Sequence, residues 1–385
     1  MPFQGRRPKV TGVMSGLQIE DGTAYVWFAY DIGQQIDLDL AERTISGDKE
    51  REVIRHQRRA PTYLQFRPPP LRIDEACERI TVGDFTTESR VEATLYDFGA
   101  ISITYRIALG SRPLEDLVPL AEHLDDNAPL TKDSQTRARV LLERLGTSVR
   151  LARLAELVED YVVFHVRKWA TGESAGPTGI ANRAVVARIL RADRAELHDD
   201  EIAEAMQCRI AYGKADELVV DWSSALLFDA RGEDTLAVLE FANVELLEMR
   251  FLDDRLDSAL DQANASLRLR GTKHGISRLL WSNTRESLRK VADLQTDSAL
   301  LFESVNNAIK MIGDHFLARV YRVAARRQHL ADWDASILRK LQTLESIYSK
   351  LNDDLAARRM EVLEWIVIVL ILVSIVLPFV APYPH

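Results

Sequence analysis

The chain has 385 residues, 46% of them hydrophobic and 28% charged, with a formal net charge of −9. That length suggests two domains or one large one, and that balance describes a soluble globular body carrying one hydrophobic tail. The negative charge makes the chain as a whole a poor general binder of nucleic acid. Its two cysteines, Cys77 and Cys208, are far apart, which argues against a disulfide scaffold and fits a reducing compartment.

The N-terminal MPFQGRRPKV lacks the apolar core of a signal peptide and is too short in Arg/Ser-rich sequence for a transit peptide. Residues 1–60 read as a variable segment with one strand, Thr23 to Tyr30, rich in β-branched and aromatic residues. Arg6, Arg7 and Lys9 form one basic cluster, and Arg51, Arg55, Arg58 and Arg59 another. Both read as solvated faces or loops, with an RNA contact left open.

Residues 61–232 read as an α+β domain. Pro68 to Pro70 cannot donate ladder hydrogen bonds, so YLQFRPPPLRID is an extended connector or lies at a sheet edge, with a polyproline ligand as the alternative. Ile80 to Val82 and Arg90 to Tyr96 read as strands, and Asp97-Phe98-Gly99 turns the chain into Ala100 to Ala108. Helices follow from Pro113 to about Leu124 and from Thr131 to Leu145. Asp160 to Trp169 is a strand, 171–179 a Gly/Ser/Pro-rich loop, 181–191 a helix and Leu218 to Phe228 a strand. The hairpins favour an antiparallel α+β arrangement over a doubly wound sheet.

Residues 233–362 read as a helical bundle or coiled-coil stalk of long antiparallel helices. Leu239, Ala242, Leu246, Met249, Asp253, Leu256, Leu260, Ala263 and Leu267 alternate steps of three and four. Phe302, Val305, Ile309, Ile312, Phe316 and Val320 make a second stripe. Ile337, Leu341, Leu344, Tyr348, Leu351 and Leu355 make a third, which continues through Arg358 and Val362. Gly271 and Gly275 flank the first turn, and Ala331 to Trp333 supplies the second. No proline or glycine lies between Trp333 and Pro378, so the last helix is predicted to run unbroken for about 45 residues, roughly 65–70 Å. Asp253 interrupts an apolar seam, either to set register or as an edge position open to water.

Residues 363–381 read as a transmembrane helix anchored by Leu363, Trp365, Ile366, Leu370, Ile371, Ile375, Leu377 and Phe379. Fifteen of the nineteen residues from Val362 to Val380 are Leu, Ile, Val or Phe. At about −0.3 to −0.6 kcal/mol each they favour insertion by several kcal/mol, and a helix of this length approaches the ~30 Å hydrocarbon core. The alternative is a buried core helix. Arg358 and Arg359 precede the segment, which places the preceding chain on the cytoplasmic side.

Catalytic signatures are missing. The sequence has no GxxxxGK[ST], GxGxxG, HExxH, paired CxxC or GxSxG, and no cofactor or metal is expected. His165 and His315 read as structural histidines. Glu240, Glu245, Glu248, Asp253 and Asp254, with Arg250 and Arg255, decorate one helix. Ion pairing explains them better than a di-metal site, which needs Glu-x-x-His on facing helices.

Five stretches, LYDFGAISITYRI at 95–107, DYVVFHV at 160–166, LEFANVELLEMRFLDDRLD at 239–257, MIGDHFLARVYRVAA at 311–325 and the segment 332–372, resemble the DUF155 family. That family includes bacterial membrane proteins, a fungal sporulation protein and mitochondrial proteins required for meiotic nuclear division. The resemblance implies an α+β domain, a helical hairpin and a terminal membrane span. It also implies a place near translation machinery, with a ribosome or RNA contact by analogy. The expected function is a membrane-anchored scaffold on the cytoplasmic face of a bacterial inner membrane. Its expected partners are the lipid bilayer, a second copy of the chain and a cytoplasmic protein. The alternative is a membrane-associated, hydrolase-like enzyme with an acidic site between sheet and bundle.

Overall fold

The computed structural model describes residues 17–47, 69–170, 182–213, 216–270, 294–296, 298–299 and 315–380. They fall in two compact units: Met1–Phe251 with Leu300–Trp333, and Leu252–Ala299 with Asp334–His385.

The first unit is built on a ten-stranded sheet. Its strands are β1 (Gln18–Asp31), β3 (Leu71–Ala76), β4 (Thr81–Val82), β5 (Phe85–Leu95), β6 (Ala100–Ala108), β7 (Arg112–Pro113), β9 (Glu159–Ala170), β10 (Arg209–Ile210), β11 (Glu217–Val220) and β12 (Ser224–Phe228). Two short strands, β2 (Gln35–Ile36) and β8 (Val149–Arg150), pair separately. The main order is β10-β11-β12-β9-β1-β6-β5-β3, with β4 on β5 and β7 on β1. Every described pairing in this sheet is antiparallel except β12 with β9. The α+β expectation therefore holds, with one parallel pair added.

β1 is central, and from Thr23 onward it is buried almost without a break. Both its faces are covered, so the burial pattern is continuous rather than alternating. Ala24, Val26, Phe28 and Tyr30 point into one core, shared with helices α1 (Leu38–Gly47), α2 (Leu117–Asp125), α3 (Ala128–Leu145) and α4 (Arg183–Leu190). Tyr30 Oη and Ser134 Oγ are 2.7 Å apart, and Tyr105 donates to Asp133 Oδ2 at 2.6 Å, fastening α3 to that face. Trp27 faces the other way and stacks on Tyr161 at 6.1 Å.

The β5–β6 hairpin turns at the predicted Asp97-Phe98-Gly99, pairing Leu95 with Ile101. Gly99 has φ +104°, and a Cβ there would overlap the carbonyl oxygen of Gly33. Only glycine fits such a position. Pro69 and Pro70 directly precede β3, which closes one end of the strand path, where proline is tolerated; Pro68 lies outside the described residues.

Three expectations are corrected. Leu218 to Phe228 is not one strand but the hairpin β11–β12, turning at Asp221–Ser223. Tyr161 donates to the carbonyls of Asp221 and Ser224 and pins that turn; Asp and Ser are turn residues hidden in an apolar run. The turn before the last helix lies at Gln328–His329, with His329 at φ +54°, rather than at Ala331 to Trp333. Helices α1 and α5 (Asp199–Ala205), both short, were not expected.

Helix α6 (Glu233–Arg270) opens with Glu233 and Asp234, which suit the positive end of a helix dipole. From Thr235 to Met249 every residue is buried. Phe241 lies 6.3 Å from Tyr96 of the body and 6.4 Å from Tyr321 of helix α7 (His315–Arg327), ring to ring. Here α6 is enclosed on all sides, so its Leu239, Ala242, Leu246 and Met249 are not a two-helix seam.

The second unit contains α6 from Leu252 and helix α8 (Leu330–Val380) from Asp334. α8 runs 51 residues without interruption, slightly longer than expected. Leu252, Leu256 and Ala263 on α6, Leu294, and Ile337, Leu341, Leu344 and Tyr348 on α8 are buried. Asp253 accepts from Ser336 Oγ at 3.3 Å and pairs with Lys340 at 2.8 Å; Asp257 pairs with Lys340 at 2.6 Å. The partners ascend together, so α6 and α8 run in the same sense here. The side chains of Leu267, Leu351, Leu355, Arg358 and Val362, and Gly271, Gly275, Phe302, Val305, Ile309 and Ile312, lie outside the described residues, as do the basic clusters at 6–9 and 51–59 and the 171–179 loop.

Candidate functional site

Two features bear on function: the acids of α6 and the apolar surface of α8. Glu240 is 3% exposed and sits over β3, β5 and β6. Arg72 Nη2 donates to it at 3.3 Å, and Thr104 Oγ1 at 3.5 Å. Arg72 Nη1 also donates to Glu92 at 3.0 Å, and Arg106 Nη2 to the other oxygen of Glu92 at 2.8 Å. Four charges of alternating sign thus form one network between sheet and helix. Burial raises the Glu240 carboxyl above its ordinary range, the Arg72 charge pulls it back, and neighbouring Glu92 raises it further.

The remaining acids are dispersed. Glu245 accepts from the Tyr321 hydroxyl at 2.7 Å, Glu248 is buried, and Asp254 is exposed. Asp253 belongs to the Ser336–Lys340 set. Arg250 pairs across to Glu159 on β9 rather than with an acid of its own helix. Burial outweighs the attraction of Arg250 and pushes Glu159 up to about 7. Among the described residues no three His, Cys, Asp or Glu side chains converge to hold a metal ion. The hydrolase-like alternative needs its acids in one place, and Glu240, Glu245 and Asp253 engage three separate partners. His165 is buried, donates from Nε2 to the Asp229 carbonyl at 2.8 Å, and burial holds it below the usual histidine range. His315 is exposed on α7.

Sequence reading missed Arg72, Glu92, Thr104 and Arg106. A signal existed: Glu92 and Arg106 are charges inside strand-like runs, where a charge needs a partner.

On α8, Leu363, Trp365, Ile366, Val367, Ile368, Val369, Leu370, Ile371 and Leu372 are each 50–62% exposed. Nine large hydrophobic side chains in ten residues occupy every face of the helix. The side chains of Ile375, Leu377 and Phe379 lie outside the described residues. Among the described residues no helix is long and apolar enough to cross a membrane. Ile337, Leu341, Leu344 and Tyr348 are already buried within one chain, so they need no second copy to cover them.

A broad sheet with helices on both faces, followed in the chain by paired helices with an exposed apolar stretch, defines an α+β unit and a helical unit, called the arm below. The chain belongs to the family described as the N-terminal domain of the uncharacterized protein MJ0711, whose sequence model matches residues 21–235. It is 24% identical over 199 residues to the uncharacterized protein MJ0711 of Methanocaldococcus jannaschii, covering 51% of this chain. The match spans 59% of that relative's length. No solved structure matches. The family match ends within the first turn of α6, so most of the helical arm lies beyond it.

Proposed function

We propose that the chain is a membrane-tethered scaffold of the DUF155 type, with its α+β body held outside the lipid and the end of α8 inserted as a single-pass anchor. The carrying observation is the ring of exposed apolar side chains from Leu363 to Leu372. Exposed apolar surface on this scale marks a membrane or protein contact. The sequence continues apolar to Val380, which extends the run toward the ~20 residues that a bilayer asks of a helix. Arg358 and Arg359, just before it, favour the body on the cytoplasmic side of an inner membrane. The DUF155 likeness supports the same reading through the stretches at 239–257, 311–325 and 332–372, beyond the family match. The partner displayed to the body is a cytoplasmic protein or assembly, and self-association draws on surfaces other than the 337–348 seam.

Fractionation tests this reading. The full chain is expected in the membrane pellet after an alkaline carbonate wash, and a chain ending at Val362 in the supernatant. Recovery of the full chain in the supernatant overturns the proposal.

A further inference from the structure

Helix α7 presents two different arginine faces. Inward, Arg327 is mostly buried: its Nε donates to Asp221 Oδ1 at 2.8 Å and its Nη1 to Glu204 at 3.1 Å. Outward, His315, Arg319, Arg322 and Arg326 are all exposed, at spacings of four, three and four, and exposed His329 follows three residues later. His315 to Arg326 is one helix face, about 16 Å long, and His329 follows it in the turn after the helix. Arg322 donates from Nε to the Ala318 carbonyl at 3.2 Å, and Arg326 from Nη2 to Cys208 Sγ at 3.6 Å. Each guanidinium carries five N–H donors, so most remain for a ligand. Among the described residues none of the three outward arginines has an ion-pair partner. On a chain of net charge −9 that stripe runs against the overall balance.

Aromatic rings stand at both ends. Tyr212 is 79% exposed, its ring 5.5 Å from Phe316 and edge-on to it. Trp222 is 44% exposed, its ring 6.0 Å from His329. The acids in contact with this face are engaged: Asp216 accepts from the backbone N–H of Tyr212 and Gly213, and Asp332 pairs with His329.

We propose that the outward face of α7 binds a single strand of nucleic acid. Arg319, Arg322 and Arg326 take the phosphates, and Tyr212 and Trp222 stack on bases at the two ends. A positive track combined with exposed aromatic rings is the physical signature of single-strand binding without sequence preference. A lipid surface fits less well, because the apolar side of α7, Leu317, Val320, Tyr321 and Ala324, is buried in the body and leaves nothing to insert. An acidic peptide would use the arginines but not the rings. The proposal holds whether or not α8 enters a bilayer.

The test uses the full chain in nonionic detergent with fluorescein-labelled ten-nucleotide oligo-U and oligo-dT, read by anisotropy across a salt series. Arg319→Gln/Arg322→Gln/Arg326→Gln is expected to weaken binding at low salt at least tenfold and to flatten the log K against log salt slope by about two, at ~0.7 per lost phosphate contact. Trp222→Ala is expected to weaken binding about tenfold with the slope unchanged, as loss of stacking predicts. Exposed Arg43, Arg90 and Arg139, all changed to Gln, form the charge-matched control and should bind like the parent. The two probes separate RNA from DNA. Equal weakening by the control triple overturns the proposal, as does an unchanged Trp222→Ala variant or equal competition by polyglutamate. A stripe variant that loses only its affinity for phosphatidylserine vesicles overturns it in favour of a lipid surface.

Discussion

The charge network under α6 ties local chemistry to stability most directly. Removing Glu240 leaves Arg72 with one carboxylate fewer at a site largely closed to water. Breaking a buried pair from one side costs about 3 kcal/mol or more, whereas replacing both partners with apolar groups of similar volume is much cheaper. Glu240→Ala is therefore expected to lower the unfolding free energy by that amount, read as a lower urea midpoint at unchanged m, and Arg72→Met/Glu240→Leu by clearly less. A double-variant loss equal to the sum of the two single losses would show that the network is not coupled. Glu159 adds a pH signature. Its folded value of about 7 lies above its ordinary 4.5. Between those two values the folded chain holds a proton that the unfolded chain has released. Its contribution is thus complete below about pH 4.5 and is lost as pH rises through 7. Urea titrations at pH 5, 6, 7 and 8 should show the parent losing more stability over this range than Glu159→Gln; parallel curves would refute this.

At the scale of elements, the β5–β6 turn and the paired helices of the arm make distinct claims. Gly99→Ala adds a methyl where the Gly33 carbonyl already stands, at a backbone angle that disfavours any Cβ. It is expected to cost about 2–3 kcal/mol, since strain and overlap add, and thermal melting by circular dichroism would record it. Leu344 on α8 is fully buried, so Leu344→Ala should cost about 2–4 kcal/mol in the arm while leaving sedimentation mass unchanged. A change in mass would show that the seam also serves between chains. The hairpin and β1 were legible in the sequence because turn residues and β-branched runs speak locally. The β11–β12 hairpin was not, because Asp221 and Ser223 sit inside a run whose apolar content dominates a window reading. The stripe on α6 misled for another reason. A heptad pattern records apolar positions but not how many neighbours surround them, and between Thr235 and Met249 the polar positions are buried too.

For the whole molecule, the family boundary and the folding boundary differ. The family match stops at 235, while the first unit also takes in α6 as far as Phe251, all of α7 and the start of α8 to Trp333. A fragment ending at residue 235 leaves Tyr96 without Phe241, Arg72 without Glu240, Glu159 without Arg250 and Asp221 without Arg327. It is expected to elute as aggregate or to lack a cooperative melt, whereas a chain ending at Val362 melts cooperatively; a well-folded 1–235 fragment would contradict this. The outward arginines of α7 were invisible as a group in the sequence. They become a face only when Leu317, Val320, Tyr321 and Ala324 are seen to turn inward.

Because the first unit is interrupted between Phe251 and Leu300, it has a history during synthesis. About a hundred residues separate β12 from the end of α7. At ~5–20 residues per second, the ribosome needs roughly 5–20 s to supply them. Throughout that interval one side of the nascent sheet waits for its last helix, a window in which a chaperone has something to hold and a stalled chain has something to hide.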